Sequence, residues 1–297
     1  MSDTPATVDG RSGRTGRRLP THWLGVLPFL VYVGVFLLLP TGIVVVGAFV
    51  TPQGVPTLAN VRALGEANVL EAFRNSIVLS AVSALLGGAL GAVLAYVVVL
   101  GRPDGAVRRV VTSASGVLAQ FGGVTLAFAF LSSVGGTGIV TVLLQHLGLF
   151  QDSSGAWLQE LTGLIVVYTY FQIPLMVLVF LPALDGIKPQ WREASESLGG
   201  TSWQYWRHIG IPLLNAPFWG GVLLLFANAF AAYATAAALI SQGGIIIPLQ
   251  IRTALTSETV AGQENVGKAL ALGMIVVVAI AMSAYTLLQR RASRWLR

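Results

Sequence analysis

The apolar residues of this chain are gathered into long runs separated by polar and basic stretches. A hydrocarbon core about 30 Å thick needs roughly 20 apolar residues in helical form. Six runs meet that requirement: Trp23–Val50, Ser76–Leu100, Val107–Leu131, Thr162–Leu184, Phe218–Ile240 and Ala269–Leu288. Two further pieces are too short. Gly138–Phe150 has the length of an interfacial or re-entrant helix, and Ile245–Leu255 is broken by Pro248 and carries Arg252. Both are expected at the membrane surface, between the third and fourth and the fifth and sixth spans.

Composition fits this pattern and excludes a soluble domain. Hydrophobic residues make up 55% of the 297 residues and charged residues only 10%, against about a quarter charged in ordinary soluble domains. The predicted fold class is an all-α membrane protein of about six transmembrane helices. Residues 1–22 form a polar, basic tail, 23–289 the transmembrane domain, and 290–297 a second basic tail. Arg11, Arg14, Arg17 and Arg18 precede the first run as in a signal peptide. That run is 28 residues, too long for a signal-peptide core, and no small-residue cleavage site follows it, so it reads as an uncleaved first span.

The distribution of charge sets the expected orientation. Fourteen of the eighteen Lys and Arg residues fall in the two tails and in the second and fourth loops, and only Arg62, Arg74, Arg252 and Lys268 lie in the others. Basic residues are retained on the cytoplasmic side, so both termini are expected there. The net charge of +6 belongs to this asymmetry and does not point to nucleic acid. With no cysteine and three scattered histidines, no thiolate chemistry or metal site is predicted.

The fourth loop, residues 185–215, is chemically distinctive. Pro189 suits the first turn of a helix, with Glu193 and Glu196 expected near its positive end. Gly199 and Gly200 stop it, and Thr201 or Ser202 can cap a second short helix running through Trp206. Pro212 marks the approach to the fifth span. Trp203, Tyr205 and Trp206 would be exposed, and aromatic side chains are favoured anchors in interfaces.

Glu193-Ala194-Ser195, three residues, Gly199, nine residues, then Ile209-Gly210-Ile211-Pro212 resembles the EAA motif of binding-protein-dependent importer permeases. These are the type I ATP-binding-cassette importers with a MetI-like fold. Ser195 replaces the second Ala and Ile211 the Leu. The resemblance implies that this loop forms coupling helices seated in a groove of a cytoplasmic ATPase. Glu193 would make the polar contact, Gly199 the bend, and Trp203 to Trp206 would fill the groove; Ala194, Ser195, Leu198, Ile209 and Pro212 belong to the same surface. It further implies ATPase subunits, a second permease subunit (a sister chain or a copy of this one), an extracytoplasmic solute-binding protein, and a multi-pass place in a bacterial inner membrane. The permease itself would carry no cofactor, with ATP and Mg on the ATPase. Phe73-Arg74-Asn75-Ser76 and Tyr170-Phe171-Gln172-Ile173-Pro174 resemble the spermidine/putrescine permeases, grouped with those for sulfate, thiamine, iron and phosphonate.

Gly262 to Ala269 reads G-x4-G-K-A, one residue short of a phosphate-binding loop. It lacks the hydroxyl that would hold Mg²⁺ and has no preceding strand, so it is the polar start of the sixth span. No catalytic residue is predicted. Among the polar residues within the spans, Gln120, Tyr170, Gln172 and Asn228 stand out, as structural hydrogen-bonders or as lining of a translocation path. Pro174 is expected to kink the fourth span. The runs contain almost no charge, which weighs against a proton-coupled carrier or ion channel. Those readings stay open beside the permease, as does a membrane scaffold that recruits a soluble partner through its Trp-rich loop.

Overall fold

A computed structural model describes residues 22–102, 104–148, 155–240, 244–256 and 263–295. The chain divides into two compact units, one ending at Ile43 and the other beginning at Val44. Six segments of the described residues are long and apolar enough to cross a membrane. The described elements are helical, apart from an isolated bridge between Val50 and Pro56.

The first span is helix α1 (His22–Val33), a π turn (Gly34–Leu38) and α2 (Leu39–Gly47). The π turn ends two residues before Pro40, and the Leu39 N–H reaches back to the carbonyl of Gly34. A proline ring clashes with the carbonyl four residues earlier, and the widened turn absorbs that clash. Phe29, Tyr32, Phe36 and Leu37 along it are all exposed, as lipid-facing side chains must be.

In the second unit, α3 (Ala59–Arg62) leads to α4 (Ala67–Leu100), a helix of 34 residues. At 1.5 Å per residue it is about 50 Å long and extends well beyond the bilayer. Then come α5 (Ala106–Gln120), α6 (Gly123–Val134) and α7 (Ile139–His146). Next are α8 (Leu161–Asp185), α9 (Pro189–Ser197), α10 (Ser202–Tyr205) and α11 (Ile211–Ala231). The chain closes with α12 (Ala234–Leu239), α13 (Ile247–Thr256) and α14 (Gln263–Trp295).

The bundle is built around the α4–α8 pair. A methyl group on Gly87 would overlap the Cβ of Gln172, one on Gly91 would overlap Met176, and one on Gly88 would stand 3.0 Å from Val222. These glycines therefore set how closely α8 and α11 approach α4, as small residues do between membrane helices. One core cluster joins Leu126, Leu164, Tyr168, Ala229 and Leu239; another joins Ala84, Val98, Met176, Phe180 and Leu225.

Several expectations are corrected. The run Val107–Leu131 is not one helix, because it breaks at Phe121–Gly122. Apolarity alone would place the third span at Gly123–His146, but a turn at Gly135–Gly138 interrupts that stretch. Arg108 pairs with Asp185 at one end of α8, and Leu126 packs with Leu164 near the other. Hence α5 and α6 together run antiparallel to α8 and form the crossing, with α7 following it. Of the expected interfacial helix Gly138–Phe150, residues 149–150 lie outside the described ones. The fifth span begins at Ser202 rather than Phe218 and breaks at Ala232–Tyr233. Residues 247–256 form helix α13, whose start packs into the protein, with Ile246, Ile247, Pro248 and Leu249 buried. Asn75 donates to the carbonyl of Ile245 at 3.2 Å, and the Ile247 N–H donates to the hydroxyl of Ser76 at 2.9 Å. Ser76 thus caps α13 from another helix. The expected kink at Pro174 falls within α8, a helix that also contains Pro182. Gly267 and Lys268 lie in the first turns of α14, the polar start read for the sixth span; Gly262 falls outside the described residues.

Candidate coupling site

The fourth loop folds into a two-helix knob through local chemistry alone. Pro189 sits in the first turn of α9, where its missing N–H leaves no bond unmade. Gly199 has φ +78°, its N–H donates to the carbonyl of Glu196, and that of Gly200 donates to the carbonyl of Ser195, both at 2.9 Å. This is a Schellman termination, which satisfies the last carbonyls of the helix and reverses the chain. Thr201 then caps α10: its hydroxyl accepts from the Gln204 N–H at 3.3 Å, and its own N–H donates to Gln204 Oε1 at 2.8 Å. That reciprocal pair is a capping box.

The dipole role expected of the two glutamates does not hold. The first turn of α9 contains no acid; Glu193 lies in the second turn, and Glu196 near the end accepts from Arg192 at 2.9 Å. That hydrogen bond raises the Arg192 pKa above its ordinary value. Glu193 is exposed.

The second helix does not stop at Trp206. α10 passes through a π turn (Trp206–Gly210) directly into α11, with the Ile211 N–H donating to the carbonyl of Trp206. As in the first span, the π turn ends two residues before a proline, here Pro212. A single helical rod therefore links the knob to the membrane interior.

The aromatic residues divide in a way the sequence reading did not anticipate. Trp203 is 66% exposed and Leu198 is 90% exposed. Tyr205 is buried, and Trp206 lies edge-on to Tyr96 of α4 with ring centroids 5.4 Å apart. Gly210 makes room for the Trp206 ring, which a methyl group there would strike. Trp206 and Tyr205 therefore brace the rod, and Leu198 and Trp203 form its free apolar tip. Ala194, Gly199 and Pro212 are also exposed, whereas Ser195 and Ile209 are half-buried.

The four in-span polar residues are not brought together. Gln172 is fully buried, its Nε2 donates to the carbonyl of Leu225 at 3.1 Å, and its Oε1 has no partner. Tyr170 is exposed and lies edge-on to Phe130 at 5.7 Å. Gln120 ends α5 at the break, and Asn228 faces outward from α11.

A polar strap at the opposite end was missed. The carbonyl of Val50 accepts from both Asn60 and Asn265 at 2.9 Å, and Lys268 donates to Asn265 Oδ1 at 2.8 Å. The only sequence signal was two asparagines beside apolar runs, too weak to pair residues so far apart.

The six long apolar helices and their exposed apolar side chains define a multi-pass helical membrane protein. No family model matches the chain. It is 30% identical over 238 residues to a probable molybdenum ABC transporter permease of Haloferax volcanii, across 79% of this chain and 80% of that protein. A thiamine transport permease of Escherichia coli is 32% identical over 117 residues, but the match covers 39% of this chain and spans only about a fifth (21%) of that protein. A bacterial ABC transporter that imports alginate has a TM-score of 0.65 at 19% identity, over 92% of this chain and 95% of that one. The MetNI methionine transporter gives 0.55 at 16%, over 76% and 96%. The chain belongs to the permease subunits of ABC transporters, a transport component whose ATPase is a separate chain.

Proposed function

We propose that this permease couples solute import to a cytoplasmic ATPase through the α9–α10 knob, with both termini in the cytoplasm. The supporting observation is mechanical. Trp203 stands exposed at the start of a helical rod that continues into α11, and Leu198 is exposed across the turn at the end of α9. An ATPase that grips the tip moves α11 as a rigid body, and a second permease subunit across the path would open or close it. Glu193, Ala194 and Gly199 are on the exposed side of the same knob. Within the span, Gln120, Tyr170 and Asn228 are the candidates to line that path.

The solute is a small molecule delivered by an extracytoplasmic binding protein. Thiamine, sulfate and molybdate lead the candidates, because the relatives carry those names. Polyamines gain no support from those relatives, and the two segments that pointed to them hold helices together through Asn75, Ser76 and Gln172.

The test is co-expression with a candidate partner ATPase subunit from the same organism, followed by co-purification and ATP hydrolysis assays. Wild type should retain the ATPase, while Glu193→Ala and Leu198→Asp should lose it or uncouple hydrolysis. Equal retention by all three proteins would sink the coupling assignment and bring forward the carrier and scaffold readings.

A further inference from the structure

At the knob end of the bundle, α8, α11 and α14 leave between them a cleft of about 620 Å³. That is within the range of small-molecule sites. Its lining is divided by chemistry. Val179, Ala216 and Gly220 give a small, apolar wall, while Tyr285, Gln289 and Arg290 give a polar one. Gln289 donates to the Tyr285 hydroxyl, which fixes that edge. Gly220 sets the width, since a methyl group there would stand 3.2 Å from the Tyr285 ring.

The cleft lies where the apolar stretch of α14 ends, at Arg290. The apolar wall is made by the buried or half-buried parts of α8 and α11, and Arg290 is exposed at the far end of α14. Asp185, two residues beyond the cleft residue Ala183, is neutralised by Arg108. Arg290 is the charged residue of the lining, and among the described residues most of the basic ones, Arg108, Lys188, Arg192 and Arg207 among them, lie at this end of the bundle.

We infer that the cleft holds one anionic glycerophospholipid. An acyl chain lies against Val179, Ala216 and Gly220, with the phosphate at Arg290 and the ester region beside Tyr285 and Gln289. Basic clefts between membrane helices recognise such headgroups. A free phosphate would leave the apolar wall unused, and a zwitterionic lipid would gain little from the arginine. The inference stands independently of ATPase coupling.

The test uses the full chain in nanodiscs of phosphatidylcholine with a minor share of phosphatidylglycerol, extracted and analysed by native mass spectrometry. Wild type should retain one phosphatidylglycerol in preference to phosphatidylcholine. Arg290→Gln should lower that preference about fivefold, the weight of one basic residue at an anionic surface. Ala216→Phe, which fills the apolar wall, should lower retention of both lipids. Arg252→Gln at the opposite end should change nothing. Equal retention of the two lipids by wild type overturns the inference, as does an undiminished preference in Arg290→Gln. Displacement of the lipid by glycerol phosphate overturns it too, because a headgroup-only site needs no cleft. Efficient self-crosslinking of Ala216→Cys, with no lipid retained by wild type, would assign the cleft to a second copy instead.

Discussion

The hydroxyl of Tyr168 donates to the backbone carbonyl of Ala232 at 2.7 Å, at the point where the fifth span breaks. Ala232 leaves the helix with ψ 110°, and α12 restarts at Ala234. A carbonyl freed by such a break within a membrane must find a donor in the protein, and Tyr168, itself fully buried, supplies it. Tyr168→Phe keeps the packing and removes only that donor. It should destabilise the permease by about 1–3 kcal/mol, the cost of an unsatisfied buried polar group. A thermal melt in detergent would read the loss; an unchanged midpoint would show that the break finds another donor.

The glycine face of α4 leads to a contrast between two like substitutions. Gly87→Ala places a methyl group on Gln172 Cβ, and neither backbone can yield without separating α4 from α8. Overpacking of this kind costs about 1–3 kcal/mol. Gly116 in α5 has nothing within 4 Å of its would-be methyl group, so Gly116→Ala should be neutral or stabilising by up to about 1 kcal/mol. Paired melts decide the matter, and equal shifts would mean that the α4–α8 approach is not set by Gly87.

How much of this was legible in the sequence depends on how local each feature is. The knob was readable because Pro189, Gly199 and Thr201 act within a few residues of themselves, and the structure shows the stop and the cap at those positions. The six-span fold class was readable because apolar length alone decides it. The breaks at Phe121–Gly122 and Ala232–Tyr233 were not. Hydropathy does not distinguish a continuous helix from two collinear ones, and what stabilises the second break is a tyrosine 64 residues away. The inward turn of Trp206 was equally hidden, since it depends on Tyr96 and on the space left by Gly210. Nor could the sequence say that α8 and α11 would press on Gly87, Gly88 and Gly91.

The knob predicts a separation of stability from coupling. Gly199 is at φ +78°, a conformation that costs an L-residue about 1–2 kcal/mol. Gly199→Ala should redirect α9 relative to α10, while the transmembrane core keeps its melting temperature, since the added methyl group meets nothing within 4 Å. Thr201→Ala removes the cap and should weaken α10 by about 1 kcal/mol. Both should lower ATPase-coupled transport in reconstituted vesicles at an unchanged melt. Loss of fold in either variant would contradict the local character of the turn.

The strap at the other end gives the last prediction. The Val50 carbonyl is held by Asn60 and by Asn265, and Asn265 in turn accepts from Lys268. The methylene groups of Lys268 lie against Gly47. Asn265→Leu is close in volume, yet it removes one donor from Val50 and the acceptor from Lys268 together. Asn60 still satisfies the carbonyl, so the global penalty should be modest, on the order of 1 kcal/mol. The local effect should be larger, because the turn from Ala48 to Pro56 is then tied to α14 by packing alone. Limited proteolysis of purified protein should cut near Gly54, a glycine at φ +80° on an exposed turn, several times faster than in wild type. Lys268→Met, which keeps Asn265 bonded to Val50, should leave that rate close to the wild-type value. Equal acceleration by the two variants would place the restraint in the lysine rather than in the asparagine.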